Sequence, residues 1–441
     1  MNKRVFVQTY GCQMNVYDSN KIFELLNNSH NYKPTQLEKD ADLLIMNTCS
    51  IREKAQEKVF SELGRWRKLK EKNKNLIIGV GGCVAAQEAE HIRLRAPFVD
   101  IVFGPQTIHH LPKMINQIHN NEIPQANVAF KPIEKFDNLP LPGKTGPSAF
   151  VSIMEGCSKF CSFCIVPYTR GQEVSRNFDD IILEVHELVK LGAKEIHLLG
   201  QNVNGYNVKM SGSDTDVNLA LLIRYLSQVK GVERIRFTTS HPAEFDQSLV
   251  DAYRDIDVLP NYLHLPVQSG SNRILELMKR GYTHEMYRET IHKLRAVRPN
   301  ISISSDFIIG YPGETEDDFM QTYELIKDLN IDYSFSFIYS KRPGTPASLI
   351  QDNVTLEEKK RRLSRIQGLI NQQAYAISES MIGTDQTILV TGFSKKSNEQ
   401  LTGRTENNRS LNFNGPKELI GKMVNVRVKS ASLNSLQGNL I

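Results

Sequence analysis

Three cysteines follow one another at the spacing C-x-x-x-C-x-x-C in Gly156-Cys157-Ser158-Lys159-Phe160-Cys161-Ser162-Phe163-Cys164. Thiolates at this spacing can wrap one loop around a single metal centre, but three of them complete neither a Cys₄ zinc site nor a fully ligated iron–sulfur cluster. A cluster held by this loop would therefore keep one iron open for a substrate or cofactor. The alternatives are three buried cysteines or a zinc knuckle, and zinc would need a fourth ligand from elsewhere. Chance clustering explains the loop poorly, because it holds half of the chain's six cysteines.

Length, composition and charge limit the class of protein. A chain of 441 residues is long enough for about two to four domains, and 40% hydrophobic with 23% charged residues is typical of a soluble protein. No apolar run approaches the length of a membrane span, and the first residues lead directly into a strand pattern, so we expect neither a membrane segment nor a signal peptide. The cysteine usage suits a reducing compartment and predicts a cytoplasmic protein. A net charge of +5 permits a nucleic-acid partner without requiring one.

The other three cysteines, Cys12, Cys49 and Cys83, each come directly after a segment with a strand pattern and before a helical pattern. The strand segments span 5–10, 42–47 and 76–80. This alternation predicts a parallel α/β domain, whose strands present their carboxyl ends at one edge, so the three cysteines can converge there. Free cysteines often only pack in a core. Three equivalent positions, two of them beside glycine, instead favour a second centre with three thiolates.

Proline and glycine concentrate in residues 121–147, which predicts a linker between domains. The linker separates an N-terminal domain, 1–120, from a central domain, 148–378, and a third domain covers 379–441. Six strand patterns alternate with helical patterns in the central domain. They lie at 149–154, 195–199, 234–239, 262–267, 301–309 and 333–339. The sequence therefore predicts a partial (β/α)₆ barrel with the cysteine loop at the carboxyl end of its first strand, where barrel active sites lie.

Polar side chains follow the predicted barrel strands at the same rim as the cysteine loop. The candidate cofactor-binding residues among them are Gln201, Asn202, Ser240, Gln268 and Ser269. Hydrogen-bonding groups with little apolar surface around them suit a polar cofactor. A purely structural interpretation stays open for two neighbouring segments: Tyr311-Pro312-Gly313 as a turn and Ser271 as a helix N-cap.

The C-terminal region changes to short β segments from about Met381, which predicts a small antiparallel β-barrel of the OB-like kind that often binds nucleic acid. Residues 381–441 hold eight Lys or Arg and four Asp or Glu, a net of +4, so most of the positive excess lies there. Phosphate contacts are expected from basic residues that punctuate the β segments. The candidates are Lys395, Lys396, Arg404, Arg409 and Arg427. The alternative is a solubilising appendage, and the basic run in the preceding helix pattern, 356–367, usually marks a solvated face.

Three motifs together resemble the methylthiotransferases, which are radical S-adenosylmethionine (SAM) enzymes with two clusters. The motifs are Thr9-Tyr10-Gly11-Cys12-Gln13-Met14-Asn15, Asn47 through Ala55, and Gly156 through Gly171. The resemblance spans nearly the whole chain and implies an N-terminal methylthiotransferase domain, a radical SAM barrel and a C-terminal TRAM domain. Gln13-Met14-Asn15 is similar to the MiaB-type branch, which acts on N6-isopentenyladenosine in tRNA. The alternatives are the branches acting on threonylcarbamoyl-adenosine or on a ribosomal protein side chain, which usually have Lys-Val-Asn or Pro-Lys-Asn there.

The resemblance also implies the cofactors, which are two [4Fe-4S] clusters and SAM. The implied ligands are Cys157, Cys161 and Cys164 for the cluster that binds SAM, and Cys12, Cys49 and Cys83 for an auxiliary cluster. Phe163 occupies the aromatic position that lies close to the adenine of SAM in this family, and Asp306 belongs to a fifth-strand motif that lies against the same ring. Gly200-Gln201-Asn202 stands where many radical SAM enzymes have Gly-Gly-Glu, so an uncharged amide replaces the carboxylate that binds the amino group of SAM.

The implied reaction adds a methylthio group at C2 of the N6-isopentenyladenosine beside the tRNA anticodon. One SAM would methylate a sulfur on the auxiliary cluster, and a second would be cleaved to the radical that starts hydrogen removal at C2. The implied partners are a tRNA anticodon stem-loop and a small electron-donor protein, with no membrane and a monomeric enzyme. The residues alone leave a different class open, an RNA-binding protein whose clusters are structural or sense redox state.

Overall fold

A computed structural model describes residues 3–49, 55–122, 126, 128, 134–395 and 397–441 of the chain. The chain divides into two compact units. The first comprises Met1–Gly143, Met154–Ser158 and Ile165–Arg176, and the second comprises Lys144–Ile153, Lys159–Cys164 and Asn177–Ile441. Within the ranges that the structure describes, no helix is both long enough and apolar enough to cross a membrane.

The N-terminal part of the chain is a parallel sheet with helices. Its strands are β1 (Arg4–Thr9), β2 (Lys33–Pro34), β3 (Leu43–Thr48), β4 (Ile77–Gly82) and β5 (Ile101–Phe103). Its α-helices are α1 (Gln13–His30), α2 (Ala55–Lys72), α3 (Cys83–Arg95), α4 (Leu111–His119) and α5 (Glu134–Asp137). All strand pairings are parallel, in the order β2-β1-β3-β4-β5, which confirms the predicted parallel α/β domain.

Apolar residues cover both faces of this sheet. One cluster packs Trp66 of α2 and Ile92 of α3 against β3 and β4. The other cluster packs Ile22 of α1 together with Leu111 and Ile115 of α4. The central strands β3 and β4 are buried along their whole length, as expected for parallel strands covered on both faces. With both faces covered by helices, the carboxyl edge of the sheet is where such a fold binds ligands.

The central part of the chain alternates strands with helices. Its strands are β6 (Ser148–Ser152), β7 (Met154–Glu155), β8 (Val174–Ser175), β9 (Glu195–Leu199), β10 (Asn207–Lys209), β11 (Asp216–Asn218), β12 (Arg234–Phe237), β13 (Tyr262–His264), β14 (Ser302–Ser304), β15 (Asp306–Ile309) and β16 (Phe335–Ile338). Its α-helices are α6 (Val166–Arg170), α7 (Phe178–Lys190), α8 (Leu219–Leu226), α9 (Gln247–Asp255), α10 (Asn272–Leu277), α11 (His284–Val297) and α12 (Glu316–Asp328).

Parallel pairing among β6-β9-β12, β13-β14 and β15-β16 confirms the predicted partial barrel. The predicted fifth strand is divided into two, because β14 pairs with β13 and β15 pairs with β16. Ser305 lies at the division, where its hydroxyl accepts the Val267 N–H at 2.9 Å and donates to the Leu265 carbonyl at 3.0 Å. The Ser305 hydroxyl replaces part of the backbone hydrogen bonding, so the segment can pair with β13 before Ser305 and with β16 after it.

The C-terminal part begins with the helix α13 (Leu356–Ser380) and continues as a closed barrel. The barrel strands are β17 (Asp385–Ser394), β18 (Ser397–Arg404), β19 (Ser410–Asn414), β20 (Met423–Ala431) and β21 (Leu436–Leu440). They close in the order β17-β18-β19-β21-β20. The small barrel is confirmed, and its pairings are antiparallel except for the parallel pair β19-β21. Five strands cannot alternate direction all the way around a closed ring, so at least one parallel pair is required.

The basic run at the start of α13 is only in part the solvated face that its composition predicts, because Lys360 and Arg361 are exposed whereas two other cations are buried. Lys359 and Arg362 are each 5% exposed. Arg362 donates to the Glu314 carboxylate at 2.9 Å and to the Glu314 carbonyl at 3.1 Å. Positions 359 and 362 share one helix face, because residues three apart are neighbours on a helix. That face packs against the central part of the second unit, so the two cations are structural.

Arg409 is a buried anchor of the C-terminal barrel, so its prediction as a phosphate contact is wrong. The side chain is 2% exposed and forms two hydrogen bonds of 2.7 Å to the Asp332 carboxylate. A further bond of 3.0 Å reaches the Ala374 carbonyl of α13. Of the other candidates, Arg427 is exposed and paired with Asp385 at 2.7 Å. Lys395 is exposed, Arg404 donates to the Asn408 carbonyl at 2.8 Å, and Lys396 lies outside the described residues.

Candidate iron–sulfur and SAM sites

Cys12, Cys49 and Cys83 lie at the carboxyl ends of the adjacent strands β1, β3 and β4, as predicted. Cys12 is the N-cap of α1, Cys49 follows β3 directly, and Cys83 opens α3. The Cys12 and Cys49 thiols are hydrogen-bonded, and this bond is the largest influence on Cys12, lowering its pKa to about 6 against the opposing effect of burial. A thiol that loses its proton this easily is suited to ligating a metal, because the thiolate is the ligand.

Two glycines allow these strand ends to approach each other. Gly11 has φ +120°, and a Cβ there would lie 2.2 Å from the Cys49 Cβ and 2.9 Å from its sulfur. Gly82 has φ +91°, and a Cβ there would lie 2.3 Å from the Thr48 carbonyl oxygen. Only glycine fits both the backbone conformation and the space. The glycines beside Cys12 and Cys83 are therefore part of the site.

An amide network fixes the loops that carry the first two cysteines. Asn15 donates to the Asn47 side-chain oxygen at 3.0 Å and to the Thr48 carbonyl at 2.8 Å. Asn47 donates in return to the Asn15 carbonyl at 2.9 Å and to the Ser19 hydroxyl at 3.0 Å. All of these donors are buried, so breaking one leaves a costly unsatisfied group. Sequence reasoning quoted both asparagines within motifs but gave neither a role.

Four buried charges lie beside the same edge of the first unit. Arg170 donates to Glu155 at 2.6 Å and to Asp18 at 3.3 Å, while Lys135 donates to the same two carboxylates at 2.7 and 2.9 Å. None of the four side chains is more than 3% exposed. We call Asp18, Lys135, Glu155 and Arg170 the charge ring. Sequence reasoning missed it, because its members are far apart in the chain and form no motif.

Arg170 connects the charge ring to the cysteines of the sheet edge. Burial alone would lower the pKa of its guanidinium, but Cys83, Asp18, Glu155 and Cys12 together raise that pKa well above its usual value. A cluster held by three thiolates carries net negative charge, so a buried cation here offsets it. Three cysteines on neighbouring strand ends, two glycines without side chains and one countercharge together fit a [4Fe-4S] cluster. In the described ranges no three His, Cys, Asp or Glu side chains form a single-ion site, and a cubane differs because each cysteine ligates a different iron.

The cysteine loop 157–164 is shared between the compact units, with Cys157 in the first and Cys161 and Cys164 in the second. In the first unit, the Cys157 N–H donates to the Gly171 carbonyl at 3.1 Å. In the second, the Cys164 N–H donates to the Cys161 carbonyl at 2.9 Å, which closes a tight turn. The Arg280 guanidinium also donates to the Cys161 sulfur at 3.3 Å. Cys161 thus has a buried cationic partner, as Cys12 and Cys83 have in Arg170.

Several predicted SAM-binding residues surround the part of this loop that lies in the second unit. Phe163 packs against an apolar cluster that includes Tyr311 and Tyr339, and Ile308 packs against the same cluster. Asn202 donates to Glu244 at 2.6 Å, and Glu244 also pairs with Lys159 of the cysteine loop. Gln201 is partly buried in the same turn after β9. The aromatic position and the turn after β9 therefore both contact residues of the rim.

Buried polar atoms without a protein partner mark the rim further. Among the described residues these include the Ser240 hydroxyl, both ring nitrogens of His241 and one Asp306 carboxylate oxygen. Burial, aided by Arg280 and Lys159, lowers the pKa of His241 to about 3, so its ring is neutral. Unsatisfied buried polar groups are rare in proteins and indicate a missing ligand or water. They fit a polar cofactor such as SAM, and His241 is a rim residue that sequence reasoning left without a role.

Gln268 and Ser269 are neighbours after β13, but their backbone conformation and burial differ. Gln268 has φ +75°, an uncommon backbone conformation for a residue other than glycine, and it forms a parallel bridge to Phe307 of β15. Ser269 is 1% exposed, and its hydroxyl bonds to the Thr322 hydroxyl at 3.2 Å. Ser271 is the N-cap of α10, as its structural interpretation predicts. The strained Gln268 is thus the residue of this turn whose side chain is still partly exposed.

Three family models match the chain in sequence. Residues 4–104 match the family described as "Uncharacterized protein family UPF0004", 151–326 match the radical SAM superfamily, and 379–441 match the TRAM domain. A protein of Haemophilus influenzae named tRNA-2-methylthio-N(6)-dimethylallyladenosine synthase is 55% identical over 441 residues, covering 100% of this chain and 93% of the relative. A protein of the same name from Francisella tularensis subsp. holarctica is 57% identical over 439 residues, covering 100% and 99%.

Solved structures share the fold. The radical SAM methyltransferase TsrM from Kitasatospora setae, with tryptophan and a SAM analogue bound, has a TM-score of 0.59 and 13% identity, over 79% of this chain and 75% of that one. The cobalamin-dependent radical SAM enzyme OxsB has a TM-score of 0.54 and 14% identity, over 85% and 57%. At this identity the likeness concerns the fold.

Proposed function

Because the chain belongs to the tRNA-2-methylthio-N(6)-dimethylallyladenosine synthase family, we propose that it adds a methylthio group at C2 of N6-isopentenyladenosine beside the tRNA anticodon. It is a radical SAM enzyme with a TRAM domain. The observation that supports the proposal is two separate sets of three cysteines, each with a buried arginine close to one of its sulfurs. When bound, two [4Fe-4S] clusters and SAM supply the radical, sulfur and methyl chemistry that protein side chains cannot supply.

Cys12, Cys49 and Cys83 hold the auxiliary cluster in this proposal. Three thiolates would bind three irons of such a cluster, and the fourth iron would be available for sulfur chemistry. Gly11 and Gly82 keep the space free of side chains. The charge ring holds the Arg170 cation near the Cys12 thiol, and this positive charge helps to lower the pKa of Cys12.

Cys157, Cys161 and Cys164 would hold the other cluster and leave one iron for SAM. Phe163 would lie beside its adenine, and Asp306 would contact SAM from the fifth-strand side. Ser240 and Gln268 offer further polar contacts, supported by the unpartnered Ser240 hydroxyl and the strained backbone of Gln268. Gln201, Asn202 and Ser269 complete the rim, with Asn202 held by Glu244 and Ser269 by Thr322.

The C-terminal barrel anchors the tRNA through phosphates, while the rim of the central barrel selects the modified base. Exposed Lys395, Arg404 and Arg427 are the described candidates for phosphate contacts. Such contacts fix position without reading sequence. We further propose that the contacted region is the anticodon stem-loop, that a small protein donates the electron, and that the enzyme acts as a cytoplasmic monomer.

The function is tested with reconstituted protein, SAM, a reductant and synthetic anticodon stem-loops. A stem-loop with N6-isopentenyladenosine should yield the 2-methylthio nucleoside by mass spectrometry, in proportion to the SAM consumed. A matched stem-loop with threonylcarbamoyl-adenosine should yield none. Product only from the second RNA, or only from a ribosomal protein, would overturn the assignment of the substrate.

A further inference from the structure

Aromatic side chains occupy alternate positions along β16 and its flanks, at Tyr333, Phe335, Phe337 and Tyr339. Alternate residues of a strand share one face, so Phe335 and Phe337, which both lie within β16, point to the same side. The Phe335 and Phe337 side chains are 64% and 52% exposed, whereas Tyr339 is only 8% exposed. Single exposed apolar residues are ordinary. Two adjacent exposed phenylalanines on a barrel strand form a patch that binding would cover.

The two rings have a common orientation. Their centroids are 6.3 Å apart and their planes differ by 12°. A flat base inserted between two aromatic rings needs about 7 Å, twice the ~3.4 Å spacing of stacked bases. The spacing of alternate residues along a strand is close to this value. The pair can therefore accept one planar heterocycle, between the rings or against either of them, with little rearrangement.

The face that carries the pair is the face of the proposed SAM site. In the parallel pairing of β15 with β16, Phe335 lies opposite Asp306 and Phe337 opposite Ile308. Tyr339 belongs to the apolar cluster against which Phe163 packs, and Ile308 packs against the same cluster. The aromatic stripe thus leads from exposed surface to the aromatic residue of the cysteine loop, within the second unit.

Positive charge lies at one end of the stripe. Lys341 and Arg342 come shortly after β16, just beyond Tyr339 and Ser340. Proteins that bind single-stranded nucleic acid combine such cations with aromatic rings on which bases stack. Splayed bases of RNA loops are recognised in the same way. Among possible occupants, a nucleobase fits parallel rings and flanking cations better than an apolar protein surface does.

We propose that Phe335 and Phe337 form a stacking platform for an unpaired base of the tRNA anticodon loop. The proposal rests on the proposed function, because it takes tRNA as the substrate. The platform holds the loop in register so that the target adenine reaches the rim. The two phenylalanines are positioning residues and take no part in the chemistry.

Leucine variants test the platform by binding. Phe335→Leu and Phe337→Leu keep apolar volume but remove the ring, and each should weaken stem-loop binding about 10-fold, within the range expected for one stacked base. Phe335→Tyr should bind as the wild type does. Tyr225→Leu is the matched control, because Tyr225 is a 45% exposed aromatic on α8 that packs against Phe178, and it should leave binding unchanged. Wild-type affinity in both leucine variants would overturn the platform.

A spectroscopic signature tests it without relying on those variants. The chain has one tryptophan, Trp66, which is fully buried, so Phe335→Trp places a new fluorophore on the platform. Adding the stem-loop should quench this emission, and a duplex RNA without a loop should not. Emission that responds to protein concentration but not to RNA would replace the proposal with a contact between copies of this chain. Binding is measured without turnover, so failure of the platform and failure of methylthio transfer can be told apart.

Discussion

The two cysteine sites differ in how the chain builds them. Cys157, Cys161 and Cys164 lie within one loop, whereas Cys12, Cys49 and Cys83 come from the ends of three adjacent strands. The local site is defined by spacing. The dispersed site is defined by a whole sheet, by glycines that allow close approach and by charges brought from Asp18, Lys135, Glu155 and Arg170. The dispersed site should therefore be more sensitive to substitutions away from its ligands.

The largest expected effect separates the roles of the two sites. Replacing Cys157, Cys161 and Cys164 by Ala should abolish reductive cleavage of SAM. Replacing Cys12, Cys49 and Cys83 should spare cleavage and abolish the methylthio product, because the second set acts only in sulfur transfer. Deoxyadenosine and nucleoside product are measured in the same reaction by mass spectrometry. If the variant without Cys12, Cys49 and Cys83 still made methylthio product, these cysteines would not be needed for sulfur transfer.

The charge ring provides the next largest effect. Arg170→Met leaves two buried carboxylates with one cation, so the free energy of unfolding should fall by about 3–5 kcal/mol. The ratio of methylthio product to cleaved SAM should fall as well. Arg427→Met, which removes an exposed pair with Asp385, is the control and should change stability little. Denaturant unfolding measures the stability of both variants. Equal midpoints for Arg170→Met and the wild type would show that the charge ring does not contribute to stability.

Two glycine substitutions should change stability less than Arg170→Met does, and they test whether the close approach at Gly11 is needed. Gly11→Ala puts a side chain at a position with positive φ, where it would clash with Cys49. We expect about 1–3 kcal/mol of destabilisation and loss of iron from the dispersed site. Gly64→Ala lies in α2 with open space around it and should stabilise by about 0.5–1 kcal/mol. The unfolding temperature should fall in Gly11→Ala and rise in Gly64→Ala, and iron content should fall only in Gly11→Ala. An unchanged iron content in Gly11→Ala would show that the close approach is dispensable.

Local patterns predicted the fold, and they failed where distant residues meet. The β-α alternation placed Cys12, Cys49 and Cys83 at one edge, because strand direction alone decides that. The charge ring was not predictable, since Asp18 and Lys135 are 117 residues apart and pair only in the folded chain. Arg409 was misassigned because the sequence does not show whether its side chain faces a phosphate or the Asp332 carboxylate. The prediction could identify a basic segment but not which of its cations are already neutralised.

The smallest expected effect is a pH dependence from His241. Its folded pKa of about 3 lies below the unfolded value near 6.5. The unfolded state therefore binds the proton more readily, and stability falls as pH drops from about 6.5 toward 3. At pH 5.5 the loss is about 1 kcal/mol. His241→Gln should remove this part of the slope between pH 7 and 5.5, and an unchanged slope would show that His241 is not buried as a neutral ring.

Iron counting tests the central claim, two independent four-iron sites, most directly. Anaerobically reconstituted wild-type protein should bind about eight irons per chain, and each triple-alanine variant should bind about four. Mössbauer spectra of both variants should show [4Fe-4S] clusters. A wild type that binds only about four irons, or a triple variant that loses all of them, would contradict the account.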